Sequence, residues 1–87
     1  MNIHFTSHAE GQIVYRKLTR QQVIDVAMHP EQIIPAKGVR YFAQSRFMRE
    51  GQEYLLRVLI EKDGDDYLVV TVYPTSKIRK YWQGGSQ

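Results

Sequence analysis

The chain has 87 residues, with 12 Lys and Arg residues against 9 Asp and Glu residues, and a formal net charge of +3. This length suits one domain with a single hydrophobic core, and we expect it to cover residues 1–83, followed by a flexible tail at residues 84–87. The sequence contains no cysteine, which excludes disulfides and cysteine-based metal sites. The modest positive charge permits contact with RNA or DNA without requiring it.

Membrane insertion, secretion and metal binding have no support in the sequence. No apolar run approaches the roughly twenty residues that span a bilayer. The first eight residues lack a basic region followed by an apolar one, so no signal peptide is expected. His4, His8 and His29 lack the spacing of metal ligands, so neither a metal nor another cofactor is expected. Cytoplasmic residence is the default expectation.

The N-terminal part predicts a short strand and a helix. Residues 3–5 have the composition of a strand. Ser7 followed by Glu10 forms a Ser-x-x-Glu capping box, which predicts a helix from about residue 8 to residue 16. Helical spacing places three polar residues on one stripe of that helix: His8, Gln12 and Arg16.

A second helix is predicted after Thr19, because Thr19 and Gln22 form another capping box. Apolar residues at helical spacing give it a buried stripe: Val23, Val26 and Ala27. The helix ends before Pro30, because proline disfavours helical geometry in the residue before it. Residues 33–34, between two prolines, are expected to be extended and to form an edge strand.

Three strands joined by two turns follow. Runs rich in β-branched and aromatic residues cover 40–48, 54–61 and 67–73, and their alternation is typical of half-buried strands. The turns are predicted at residues 50–51 and 63–65. Alternation assigns one face to the core: Tyr41, Ala43, Phe47, Leu56, Val58, Ile60, Leu68, Val70 and Val72.

The opposite face mixes polar and apolar side chains, and its pairing follows from the turns. The first turn predicts two cross-strand pairs, Phe47 with Tyr54 and Gln44 with Arg57. The second turn predicts two more, Arg57 with Thr71 and Leu55 with Tyr73. Arg57 and Tyr73 are then diagonal neighbours on this face, within reach of each other.

A short basic helix is predicted after Pro74, which stops the last strand. Thr75 or Ser76 caps this helix, which runs from Lys77 to about Trp82. The elements together predict an α+β fold. Two N-terminal helices pack on one face of a three- to four-stranded antiparallel sheet, and a short C-terminal helix follows.

The polar residues near the end of the last strand suggest chemistry on phosphate. A helix N-terminus attracts anions, and cations on the adjoining sheet strengthen that preference. Cleavage of a phosphodiester beside a 2′-hydroxyl needs a proton acceptor, a proton donor and cations that stabilise the phosphorane. The candidate catalytic residues are His8, Arg57, Tyr73 and Lys77. The candidate substrate-binding residues are Arg16, Arg46, Thr75 and Lys80.

Structural roles explain the same residues equally simply. Arg57 can pair with Glu61 or cap the end of the sheet. The basic C-terminal helix can be a solvated face, with its cations favourably placed at the helix C-terminus. Tyr81 and Trp82 can be packing residues.

Several segments, spread over nearly the whole chain, resemble a family of small bacterial and archaeal proteins related to BrnT, within the RelE-like ribonuclease-toxin superfamily. The segments are Ser7-His8-Ala9, Arg16, Leu18-Thr19, Val23, Pro30-Glu31, Tyr54-Leu55-Leu56-Arg57-Val58, Val70-Thr71-Val72-Tyr73, Thr75-Ser76-Lys77-Ile78 and Lys80-Tyr81-Trp82. The last run, residues 70–82, is the most specific.

The resemblance implies a metal-independent endoribonuclease that cleaves messenger RNA and a small antitoxin that neutralises it. The polar motif positions of the family fall on His8, Arg16, Arg57, Tyr73, Thr75 and Lys77. The chain departs from many relatives at Gln12, where they have arginine, and so lacks one cation of the His8 stripe. A non-catalytic RelE-like module that binds a small protein partner or nucleic acid is the alternative.

Overall fold

A computed structural model describes residues 2–84 as an α+β domain, which confirms the predicted fold class. The elements in chain order are β1 (Asn2–Phe5), α1 (Ser7–Tyr15), α2 (Arg20–Met28), β2 (Gln32–Pro35), β3 (Arg40–Arg49), β4 (Gln52–Asp63), β5 (Asp66–Thr75) and α3 (Ile78–Tyr81). The tail expected at residues 84–87 lies, apart from Gly84, outside the described residues. Among residues 2–84, no helix is long and apolar enough to cross a membrane.

The sheet has five strands in the order β1-β5-β4-β3-β2, and it is mixed. The pairs β2–β3, β3–β4 and β4–β5 are antiparallel, whereas β1 runs parallel to β5. The expectation of a three- to four-stranded antiparallel sheet is therefore wrong in strand number and in the direction of β1. Parallel neighbours need a long crossover connection, and here it comprises both N-terminal helices and strands β2, β3 and β4.

Of the two capping boxes predicted for the N-terminal helices, one is wrong and one is confirmed. Helix α1 is capped by Thr6, whose Oγ accepts from the Ala9 N–H at 3.0 Å, so the Ser7–Glu10 capping box is wrong. The Thr6 hydroxyl also donates to the Val70 carbonyl at 2.8 Å and thereby ties the helix to β5. The capping box at the start of α2, formed by Thr19 and Gln22, is confirmed.

The hydrophobic core lies between α1, α2 and one face of the sheet. The helices contribute small and branched residues, and Leu18 closes the turn between them. The core residues are Ala9, Ile13, Leu18, Val23, Val26, Ala27, Ala43, Leu56, Val58, Ile60, Val69 and Val72.

A β-bulge in β5 changes the predicted register. The turn after β4 is shorter than expected, since Asp63 pairs with Asp66, and this exchanges the two faces of the first residues of β5. Ile60 pairs with Val69 and Leu59 with Thr71, so the ladder skips Val70. This extra residue restores the expected faces for the part of β5 that follows the bulge. Val69 is therefore the core residue, and the assignment of Leu68 and Val70 to the core is wrong.

The second face of the sheet is covered in part by the C-terminal segment. Leu55 on β4 and Ile78 on α3 are both buried but lie outside the main core cluster. Helix α3 is one turn long and begins at Ile78. The Thr75 hydroxyl accepts from the Lys77 N–H at 3.0 Å in the turn before it, so neither Thr75 nor Ser76 is the helix cap.

Candidate functional site

Arg57 lies at the centre of a buried polar cluster on the second face. Its Nη1 donates to the Tyr73 hydroxyl and its Nε to Gln44 Oε1, each at 2.8 Å. The guanidinium carbon lies 3.8 Å from the centre of the Phe42 ring and 4.2 Å from that of Tyr81. Arg57 pairs directly with Tyr73 instead of Thr71, and the residue is only 5% exposed.

Gln44 connects this cluster to the C-terminal segment. Its Nε2 donates to the Tyr81 carbonyl at 3.1 Å and to Gln32 Oε1 at 2.9 Å. Gln32 in turn accepts from the Gln83 N–H at 3.1 Å. A buried amide with both of its functional groups bonded fixes the position of its neighbours. The cluster therefore holds α3 against the sheet.

The pKa values of the two tyrosines of the cluster shift in opposite directions. Burial raises the pKa of Tyr73, although its hydrogen bond from Arg57 opposes the change. The interaction with the Tyr73 hydroxyl lowers the pKa of Tyr81, and the positive charges of Lys80 and Arg57 act in the same direction. The Lys80 ammonium lies 5.3 Å from the centre of the Tyr81 ring.

Arg46 and His8, also predicted as site residues, are engaged elsewhere. Arg46 forms an ion pair with Glu31 at 3.2 Å, and its guanidinium carbon lies 4.5 Å from the centre of the Trp82 ring. Hydrogen bonding to Arg46 lowers the pKa of Glu31. His8 Nε2 lies 2.9 Å from the Thr71 hydroxyl. Each residue therefore has a neighbour that accounts for its position.

A basic groove is open to solvent on another part of the surface. It has a volume of about 620 Å³ and forms where the end of α1, the β3–β4 hairpin and the end of β5 meet. Among residues 2–84, four cationic residues and no acidic residue contribute to its lining. The lining residues are Tyr15, Arg16, Lys17, Arg49, Tyr54, Pro74, Thr75, Ser76 and Lys77.

Local hydrogen bonds fix the walls of the basic groove. After α1, the Lys17 N–H donates to the Val14 carbonyl at 3.1 Å and the next N–H, of Leu18, to the Ile13 carbonyl at 2.8 Å. These two bonds have the pattern of a Schellman motif. Arg49 Nη2 donates to the Lys17 carbonyl at 3.1 Å and so joins the helix end to the β3–β4 hairpin.

The predicted site residues thus fall into separate places. Arg16, Thr75 and Lys77 line the basic groove, whereas Arg57 and Tyr73 form the buried cluster. The sequence did not indicate the other six lining residues as site residues: Tyr15, Lys17, Arg49, Tyr54, Pro74 and Ser76. A signal for two of them was present, since Arg49 and Tyr54 flank the predicted turn at residues 50–51. No local pattern indicated that this turn lies beside the end of α1.

Neither a metal-ligand cluster nor a known relative assigns a function to the site. Within residues 2–84, no group of three or more His, Asp or Glu side chains is arranged to hold a metal ion. No protein-family model, curated protein or solved structure matches the chain.

Proposed function

We propose that this chain binds RNA in the basic groove, as a RelE-like module related to BrnT. The observation that carries the proposal is the charge of the groove, whose lining has four cationic residues and no acidic one in the part of the chain that the structure describes. Contacts from Lys and Arg to phosphate dominate the affinity of proteins for nucleic acid. Tyr15 and Tyr54 add aromatic rings of the kind on which unpaired bases stack.

The location of Arg57 favours the groove over the buried cluster as the RNA-binding surface. The faces of its guanidinium are covered by Phe42 and Tyr81, and two of its nitrogens already donate to Gln44 and Tyr73. A ligand phosphate would have to displace these partners. The groove cations Arg16, Lys17 and Lys77 are exposed.

Metal-independent cleavage of messenger RNA is the second candidate function. Among the four residues predicted to be catalytic, Lys77 lines the groove, where the RNA would lie. In the reaction the 2′-oxygen forms a bond to phosphorus and loses its proton to a base, while the bond from phosphorus to the 5′-oxygen breaks and that oxygen gains a proton. The products are a 2′,3′-cyclic phosphate and a 5′-hydroxyl.

In this reaction we assign Lys77 as the donor of the proton to the leaving 5′-oxygen. The groove arginines, Arg16 and Arg49, stabilise the phosphorane. With this activity the protein is the toxin of a toxin–antitoxin pair, and its partner is a small antitoxin protein. Without it the protein is a binding module.

The experiment uses a labelled single-stranded RNA oligonucleotide, the purified protein and a chelator. Fluorescence anisotropy measures binding, and gel analysis of the RNA ends measures cleavage. We expect binding that weakens as salt increases, and weaker binding for Lys77→Ala. Lys62→Ala is the matched control, because it removes the same charge from β4, away from the groove.

The two functions fail separately. Absence of salt-dependent RNA binding by the wild-type protein would contradict both. RNA binding without the appearance of 2′,3′-cyclic phosphate ends would support the binding module and contradict the ribonuclease activity. Cleavage that persists in Lys77→Ala would contradict the role assigned to Lys77.

A further inference from the structure

Lys17 has a backbone conformation that is unusual for lysine. Its φ is 59°, in the left-handed region, directly after the end of α1. Glycine is the usual residue at this position of a Schellman motif, since it lacks the Cβ that crowds the following carbonyl oxygen. Within residues 2–84, φ is positive at five other positions, of which four have glycine and one, in the β3–β4 turn, has Glu50.

The backbone contacts of Lys17 do not need a lysine side chain. Its N–H donates to Val14, and its carbonyl accepts from Arg49 Nη2. Glycine would make both bonds without the strain of a Cβ at positive φ. What glycine cannot supply is a cation, and Lys17 is one of the residues that line the basic groove.

We infer that Lys17 is a phosphate-binding residue of the groove, retained in a strained conformation for its ammonium group. The inference rests on the proposed RNA binding and names a residue that it requires. Backbone strain at a ligand-binding surface is a recurrent pattern in proteins. The hydrogen bond from Arg49 to the Lys17 carbonyl holds the turn at the groove wall.

The test compares Lys17→Gly with two controls. Lys17→Arg keeps the cation and the strain. Lys37→Ala removes one positive charge from the turn at the opposite end of β3, away from the groove. For each variant, anisotropy with the single-stranded RNA oligonucleotide gives the dissociation constant at several salt concentrations, and thermal unfolding gives the melting temperature.

For Lys17→Gly we expect a dissociation constant raised about 3- to 10-fold and a salt slope reduced by about 0.7, the contribution of one phosphate contact to single-stranded nucleic acid. Its melting temperature should equal that of the wild type or exceed it by up to about 5 °C, because the strain at positive φ is removed. Lys17→Arg and Lys37→Ala should keep the wild-type salt slope.

Three results would overturn the inference while leaving RNA binding intact. They are an unchanged salt slope in Lys17→Gly, an equal loss of slope in Lys37→Ala, and a lower melting temperature in Lys17→Gly, which would assign Lys17 a structural role. If the wild-type protein does not bind the RNA, the proposed function itself fails, which is a different outcome from these three.

Discussion

The Arg57 guanidinium donates to the Tyr73 hydroxyl at 2.8 Å, on the sheet face opposite the main core. The two side chains share a face, as the sequence predicted, although their strand positions are directly opposite and not diagonal. Their surroundings give the pair a structural role. Two aromatic rings enclose the guanidinium, and the Gln44 amide connects it to the C-terminal segment.

Arg57→Ala should therefore destabilise the protein. The substitution leaves the buried Gln44 oxygen without its donor and empties the space between Phe42 and Tyr81. An unsatisfied buried acceptor costs about 1–3 kcal/mol, and lost packing of the side-chain stem adds to it. We expect a loss of about 2–4 kcal/mol in the free energy of unfolding, measured by urea denaturation. Arg57→Lys should not restore the wild-type free energy of unfolding, because an ammonium group lacks the planar surface that stacks on the aromatic rings.

Arg40→Ala is the matched control for that measurement. Arg40 lies on β3 and forms an ion pair with Glu61 at 2.9 Å, but its side chain is 45% exposed. Exposed pairs contribute about 0–1 kcal/mol. A loss for Arg57→Ala as small as that for Arg40→Ala would show that the buried cluster does not hold the fold together.

The tyrosine pair leads to a prediction about alkaline pH. The interaction with Tyr73 lowers the pKa of Tyr81 below its ordinary value of 10.0, whereas burial raises the pKa of Tyr73 above it. We expect Tyr81 to ionise before Tyr73, as measured by tyrosinate absorbance in Tyr81→Phe and Tyr73→Phe. Tyr73→Phe should also return the pKa of Tyr81 towards 10.0, because the largest cause of its shift is removed.

The shift of Tyr73 also affects stability. Since its pKa is higher in the folded than in the unfolded chain, the unfolded chain loses this proton first. The contribution of the neutral phenol is complete below pH 10 and is lost as the pH rises through the folded pKa. Tyr73→Phe should not show this component of alkaline destabilisation. A Tyr73→Phe protein with the same decline above pH 10 as the wild type would contradict the assignment.

Glu31 leads to the opposite prediction at acid pH. Hydrogen bonding to Arg46 lowers the pKa of Glu31 below 4.5, so its contribution is complete above pH 4.5 and is lost as the pH falls through the folded pKa. The pair is 40% exposed on each side, so we expect less than about 1 kcal/mol. Trp82, whose ring lies against Arg46, should report the transition by fluorescence. The Glu31→Gln variant should not show this acid transition.

The β3–β4 hairpin could be predicted because its signals are local and agree with one another. Glu50 and Gly51 both have positive φ, as a tight two-residue turn requires, and the predicted pairs of Phe47 with Tyr54 and of Gln44 with Arg57 are confirmed. The capping box of α2 could be predicted for the same reason.

The basic groove and the place of β1 could not be predicted, because they depend on contacts between distant segments. Arg49 reaches the carbonyl of Lys17 only after the hairpin has packed beside α1. Strand β1 pairs with β5, at the other end of the chain. The spacing of nearby residues in the sequence does not indicate either contact. The enclosure of Arg57 likewise depends on α3, which the sequence predicted as a helix without a position.

The bulge in β5 was missed because Leu68, Val69 and Val70 are all apolar, so alternation does not distinguish the faces. It leads to a test with two neighbouring valines. Val69 is fully buried, whereas Val70 is partly exposed. Valine-to-threonine replacement keeps the shape and adds a hydroxyl, which costs about 1–3 kcal/mol when it is buried without a partner. We expect such a loss for Val69→Thr and a loss below about 0.5 kcal/mol for Val70→Thr, both measured by urea denaturation. An uninterrupted alternating register with Val70 in the core would reverse the order of the two variants, because Val70 would then carry the buried hydroxyl.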